Sequence, residues 1–186
     1  MNPTAVARYS GLAILFHWGS AALIAALFVI GWQMVEMPLS PGKMEAYALH
    51  KSLGLLILVL AIVRIVRQRL RPSPPEPMGT PEWQRRAANA THVGLYLLMF
   101  ALPLSGWAYN SSVGFPLSFF GLIDVPGLPS GGTDMREFWR TAHWLLGWGV
   151  VGLVSLHAGA ALYHRVILRD SILQRMLPKV PTLRRR

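Results

Sequence analysis

Six histidines, His17, His50, His92, His143, His157 and His164, are the residues of this chain best suited to chemistry. Imidazole binds metals, relays protons and changes charge near neutral pH. Other reactive types are scarce. Cysteine is absent, which excludes disulfides, thiolate nucleophiles and Cys-ligated clusters. Only eight residues are acidic, and no Ser-His-Asp set, paired carboxylates or phosphate-binding Gly-rich loop is visible. His143 and His157 lie 14 residues apart. In an α-helix that separation falls about 40° short of four turns and rises about 21 Å. One helix can therefore present two imidazoles on one face, near opposite sides of a membrane. His164, seven residues further on, falls about 20° off that face.

The elements that carry these residues are read from gaps in the charge pattern. The 186-residue chain is 53% hydrophobic and 14% charged, against about 25% charged in soluble domains. Uncharged stretches separate Arg8 from Glu36, Arg86 from Asp124 and Arg140 from Arg165, with 27, 37 and 24 residues respectively. A membrane helix needs about 20 apolar residues. A fourth apolar stretch contains LLILVLAIV, with Lys51 and Arg64 near its ends, where long basic side chains can reach the headgroups. The expectation is an all-α, four-helix transmembrane bundle in a single domain over 1–186, with helices at about 12–33, 46–66, 89–109 and 141–164. The first apolar run is too long for a signal-peptide core and lacks a clear cleavage site, so it reads as a retained helix.

The net charge of +10 has a topological reading. With four spans, the end carrying both termini and loop 2–3 holds 14 of the Lys and Arg residues, and the other end holds 4. The positive-inside rule then places both termini in the cytoplasm. Nothing remains for a nucleic-acid partner to explain. Loop 2–3 contains the stiff connector RPSPPEP. Loop 3–4, within 111–138, is apolar but broken by Gly and Pro, and reads as an interfacial flap on the outer side. The tail stretch SILQRMLP reads as a short interfacial helix.

Depth then sorts the histidines. His50 and His143 both fall near the outer ends of descending helices, so they pair. His17, His92, His157 and His164 fall toward the inner side. There His157 lies deepest, and either His17 or His92 could partner it. Two neutral imidazoles from two helices in an apolar bundle suit haem iron, which takes axial His ligands, better than zinc, which wants four ligands. Gly54 and Gly147 each follow a histidine by four residues, leaving room for a flat ring.

RYS and LFHW around His17, LHKSLG around His50, THVGLYLLMFALPLSGW, AHWLLGW with SLHAGAALYH, and RDSILQRMLP follow one another along nearly the whole chain. In that order, with the 14-residue spacing, they resemble the bacterial cytochrome b561 family of dihaem membrane cytochromes. The resemblance implies two non-covalent haem b groups, held by His17 with His157 and by His50 with His143. His92 and His164 become non-ligands near propionates or a quinone, with Arg64 and Arg67 as propionate partners. Small stand-alone members resemble the superoxide oxidases of enteric bacteria. That likeness implies oxidation of superoxide at the periplasmic face and reduction of ubiquinone, in the bacterial inner membrane. Lys51, beside His50, and Arg140, three residues before His143, could steer an anion to the outer site. The outer side as a whole nets −1, so that attraction must be local. Two alternatives remain: a cytochrome subunit fed by a dehydrogenase or hydrogenase partner, and a non-redox membrane protein with packing or proton-relay histidines.

Overall fold

The computed structural model describes residues 8–71, 74–75 and 79–178. Four long helices run α1 (Gly11–Glu36), α2 (Pro41–Leu70), α3 (Glu82–Val113) and α4 (Arg136–Tyr163). Each is long and apolar enough to cross a membrane, and together they form the expected four-helix bundle. α1 begins one residue before its expected span, and α2, α3 and α4 begin five to seven residues before theirs; the caps of α1 and α2 lie outside the apolar run. Ser10 and Ser40 cap α1 and α2, their hydroxyls accepting from the N–H groups of Ala13 and Lys43. Pro41 occupies the first helical position of α2, where its missing N–H costs nothing. α3 ends at Gly114, whose φ of 78° suits a residue without Cβ.

Neighbours in sequence pack together: α1 on α2, α2 on α3 and, most extensively, α3 on α4. The backbone of α4 does not run closely along α1 or α2. The buried centre is thin. Ile57, Ala61 and Met99 form it, with Leu23, Ile24, Leu27 and Phe100 against them. Helix association in lipid gains little from burying apolar surface and rests on close packing of small side chains. Ser20, Ser52, Ser105 and Ala108 are accordingly among the most buried residues. Leu15, Trp32, Leu97 and Trp144 point outward, as lipid-facing side chains do.

The two ends of the bundle differ. At one end, loop 3–4 is a small antiparallel hairpin, β1 (Ser118–Phe119) with β2 (Ile123–Asp124), pairing Ser118 with Asp124 and Phe119 with Ile123. Phe120 and Gly121 turn it with φ of 53° and 70°. The expected flap is thus a folded hairpin seated on α2. Ser52 Oγ accepts from Phe120 N–H at 3.0 Å, and Lys51 Nζ donates to the Pro116 carbonyl at 3.0 Å.

At the other end the tail packs on the N-terminal segment. Tyr9 N–H donates to the Arg175 carbonyl, Trp18 Nε1 to the Met176 carbonyl at 2.7 Å, and Arg8 to the Leu177 carbonyl. Arg175, nearly buried, donates to the Pro75 carbonyl. The tail is therefore a single 3-10 turn at Leu173–Met176, where a short helix is expected. Those backbone contacts hold it in place of an amphipathic helix's own ladder. Most of the RPSPPEP connector, together with Lys179 and the terminal arginines, lies outside the described residues.

Candidate functional site

Two groups of imidazoles lie between the helices. At the hairpin end, His50 of α2 faces His143 of α4 with ring centres 6.3 Å apart and planes at 79°. His143 Nδ1 lies 3.0 Å from the Leu102 carbonyl and 3.1 Å from Ser105 Oγ. A carbonyl only accepts, so Nδ1 carries the hydrogen and the neutral ring keeps its lone pair on Nε2. Ser105 in turn donates to Leu102 O at 2.7 Å. These contacts cluster at the one turn of α3 interrupted by proline, Pro103. His50 Nδ1 is buried without a well-formed hydrogen bond among the described residues, the backbone of Leu27 being the polar group that acts on the ring; an unmet polar atom there is costly unless something else satisfies it.

Both rings are backed by glycine. A Cβ at Gly31 of α1 would lie 3.1 Å from His50 Cε1, and one at Gly106 of α3 would lie 2.8 Å from His143 Cε1. Sequence reasoning missed both residues. It named Gly54 and Gly147 instead, as room for a flat ring: a Cβ added at Gly54 would meet nothing within 4 Å, and one at Gly147 would meet Phe28 at 3.8 Å. Gly31 and Gly106 had a signal in the spacing. Gly31 follows His17 by 14 residues, and Gly106 follows His92 by 14. This is the separation that links His143 to His157. The faces of α1 and α3 that present an imidazole at one depth therefore present a gap at the other, while α4 presents an imidazole at both.

At the tail end three imidazoles gather. His157 lies 6.0 Å from His17, with planes at 59°, and 5.3 Å from His92, with planes at 63°. Both inner candidates thus reach His157. Arg64 stands over the Tyr96 ring at 5.4 Å and reaches the Phe16 carbonyl at 3.5 Å. It is the cation that acts electrostatically on all three histidines. Arg67 turns away to donate to Ser10 Oγ at 2.7 Å.

The remaining sequence candidates lie at the margins. Lys51 Nζ also donates to Asn110 Oδ1 at 3.2 Å, so it holds the hairpin from the position that follows His50 in the chain. Arg140 is exposed and paired with Glu137 at 2.8 Å. His164 opens a widened, π-type turn after α4 (His164–Leu168). Its Nδ1 lies 2.5 Å from Asp170 Oδ2. Asp170 also accepts from Ile172 N–H.

A family profile described as prokaryotic cytochrome b561 matches residues 8–179. The chain belongs to that family. Within it, cytochrome b561 homolog 2 of Escherichia coli (strain K12) is 37% identical over 92% of both chains. The probable superoxide oxidase CybB of Yersinia pestis is 34% identical over 92% of this chain and 97% of its own. A cytochrome b562 of Cereibacter sphaeroides is 27% identical over 91% of this chain and 94% of its own. Membership makes the chain a multi-pass bacterial membrane protein of transmembrane electron transfer, and implies b-type haem.

The cytochrome b561 chain has residues that fit such a group. An imidazole nitrogen sits about 2 Å from a bound metal ion, so two rings on opposite sides of one ion have centres about 6 Å apart. The His50–His143 and His17–His157 pairs have that separation. Both span helices whose backbones stand apart. The lone pair of His143 Nε2 is left available by the hydrogen bond at Nδ1, the usual arrangement of a metal-binding histidine.

Proposed function

We propose that this chain takes electrons from superoxide at the periplasmic face and delivers them to ubiquinone, through two non-covalent haem b groups. His50 with His143 would hold the outer haem, and His17 with His157 the inner one. The observation that carries the reading is the pair of two-imidazole sets at two depths of one bundle, each about 6 Å between ring centres. The bias of basic residues supports cytoplasmic termini and the inner membrane. The cofactor, when bound, would supply a one-electron carrier whose potential the residues holding it would tune. Two superoxide ions give up one electron each and leave as dioxygen. One ubiquinone takes both electrons and two protons to become ubiquinol.

The chain's own residues supply the rest. Leu102 O and Ser105 fix the tautomer and ring direction of His143. Gly31 and Gly106 let the outer imidazoles sit back against neighbouring helices. Lys51 holds a positive charge beside His50, where an approaching anion would feel it. Arg64 faces the inner histidines as a partner for a carboxylate. His164 and Asp170 form a hydrogen-bonded pair near the inner boundary, suited to pass protons toward a quinone.

Adding superoxide to the purified, oxidised, haem-loaded protein should reduce its haem bands without any partner, and ubiquinone should then reoxidise them. Haem bands that stay oxidised under a superoxide flux would end this reading. One observation favours a second reading, a cytochrome fed by a dehydrogenase or hydrogenase. Arg140, half of the expected steering pair, is paired with Glu137, which weakens its pull on a small anion.

A further inference from the structure

We propose that the tail end of the bundle binds the phosphate of an anionic phospholipid in a pocket formed by Arg8, Arg67 and Arg71. A cavity of about 260 Å³ lies there, lined also by Tyr9, Ser10 and Gln68. The three guanidinium groups come from the segment before α1 and from the last turns of α2. Arg8 and Arg67 donate to uncharged acceptors, the Leu177 carbonyl and Ser10 Oγ. Among the described residues no carboxylate pairs with any of the three, and Arg71 makes no side-chain hydrogen bond. Three clustered positive charges without a counter-charge repel one another, and an oxyanion between them relieves that. Guanidinium groups suit phosphate because their planar donors engage two oxygens at once.

Depth separates this pocket from the imidazoles. Arg71 lies seven residues beyond Arg64, and Ser10 lies seven before His17. Each step is about 10 Å along a helix. The pocket therefore sits one layer outside the histidines, where headgroups begin. Leu12, Val66 and Leu70, exposed on the same helix ends, offer apolar surface that acyl chains would cover and a free phosphate ion would not. Clusters of basic residues at this boundary are the usual seat of acidic headgroups.

The test uses the intact haem-loaded protein, exchanged into detergent with phosphatidylglycerol or phosphatidylcholine and examined by native mass spectrometry. Phosphatidylglycerol should remain bound to the parent. Arg8→Gln with Arg71→Gln should weaken its retention by roughly tenfold or more, with phosphatidylcholine retention and the haem spectrum unchanged. Arg71→Gln alone, which breaks no described hydrogen bond, should show part of the same loss and guards against misfolding of the double variant. Equal phosphatidylglycerol retention by parent and variants would overturn the proposal. So would displacement of the lipid by millimolar inorganic phosphate, which would mark a free-anion site. Loss of haem from the folded Arg71→Gln variant would overturn it too, by assigning the arginines to a haem carboxylate.

Discussion

The two imidazole groups solve one packing problem in opposite ways. At the hairpin end, each ring is pressed against a glycine of a neighbouring helix, and one ring is locked by hydrogen bonds to Leu102 and Ser105. Among the described residues no arginine acts on them. At the tail end no glycine backs the rings. A third imidazole, His92, crowds His157, and Arg64 supplies a positive charge to the group. The hairpin-end pair is thus held by shape, and the tail-end set has a cation acting on it. The difference follows from the 14-residue repeat. Where α1 and α3 present histidines at the tail end, they present Gly31 and Gly106 at the hairpin end.

The largest effects should come from removing ring partners. His50→Ala should cost one of two haems by pyridine haemochrome assay, and His157→Ala should cost the other. His92→Ala should keep both. If His92→Ala instead matches His157→Ala while His17→Ala is silent, the inner pair is His92 with His157. Next comes the glycine seat. Gly106→Ala places a methyl against His143 and should destabilise the outer site by about 1–3 kcal/mol, read as outer-haem loss on mild heating. Gly159→Ala, with no atom within 4 Å of the added carbon, should not. Equal behaviour of the two variants would remove shape as the distinction between the sites.

Charge at the hairpin end should matter less. Lys51→Glu should slow haem reduction by superoxide by about tenfold at low salt, and the parent rate should fall as salt rises. Arg140→Glu, already beside Glu137, should add little. A double variant reduced as fast as the parent at every ionic strength would move the partner-fed cytochrome ahead. Smaller still, His164→Gln should slow reoxidation by ubiquinone and leave reduction by superoxide unchanged. A slowed reduction phase would place His164 in the wrong half of the molecule.

Much of this architecture was legible in the sequence because a membrane helix is specified by an apolar run and by where charge is forbidden. The same simplicity hid the rest. Depth, a one-dimensional coordinate, brought His50 to His143 but left His157 with two partners, and the structure brings both near. Gly31 and Gly106 touch histidines on other helices, so no local spacing around a ligand reveals them. The hairpin has only two residues per strand and an apolar sequence, which gives periodicity nothing to detect. It is held from outside by Ser52, Lys51 and Asn110. The tail turn is likewise fixed by the side chains of Trp18 and Arg8, 158 and 169 residues away, which donate to its carbonyls. By contrast Arg140 and Glu137, three apart on one helix, were a readable pair.

The placement of α4 has a consequence for biogenesis. It supplies His143 and His157, one member of each facing pair, and the tail that follows it clasps the N-terminal segment. A ribosome adds about 5–20 residues per second, so α1 to α3 wait in the bilayer for several seconds with every pair half made. Neither site is complete until the final helix enters, and the clasp closes only after it. With the proposed ligand pairs, cofactor loading becomes a late event, and a nascent chain stalled before α4 is expected to carry none.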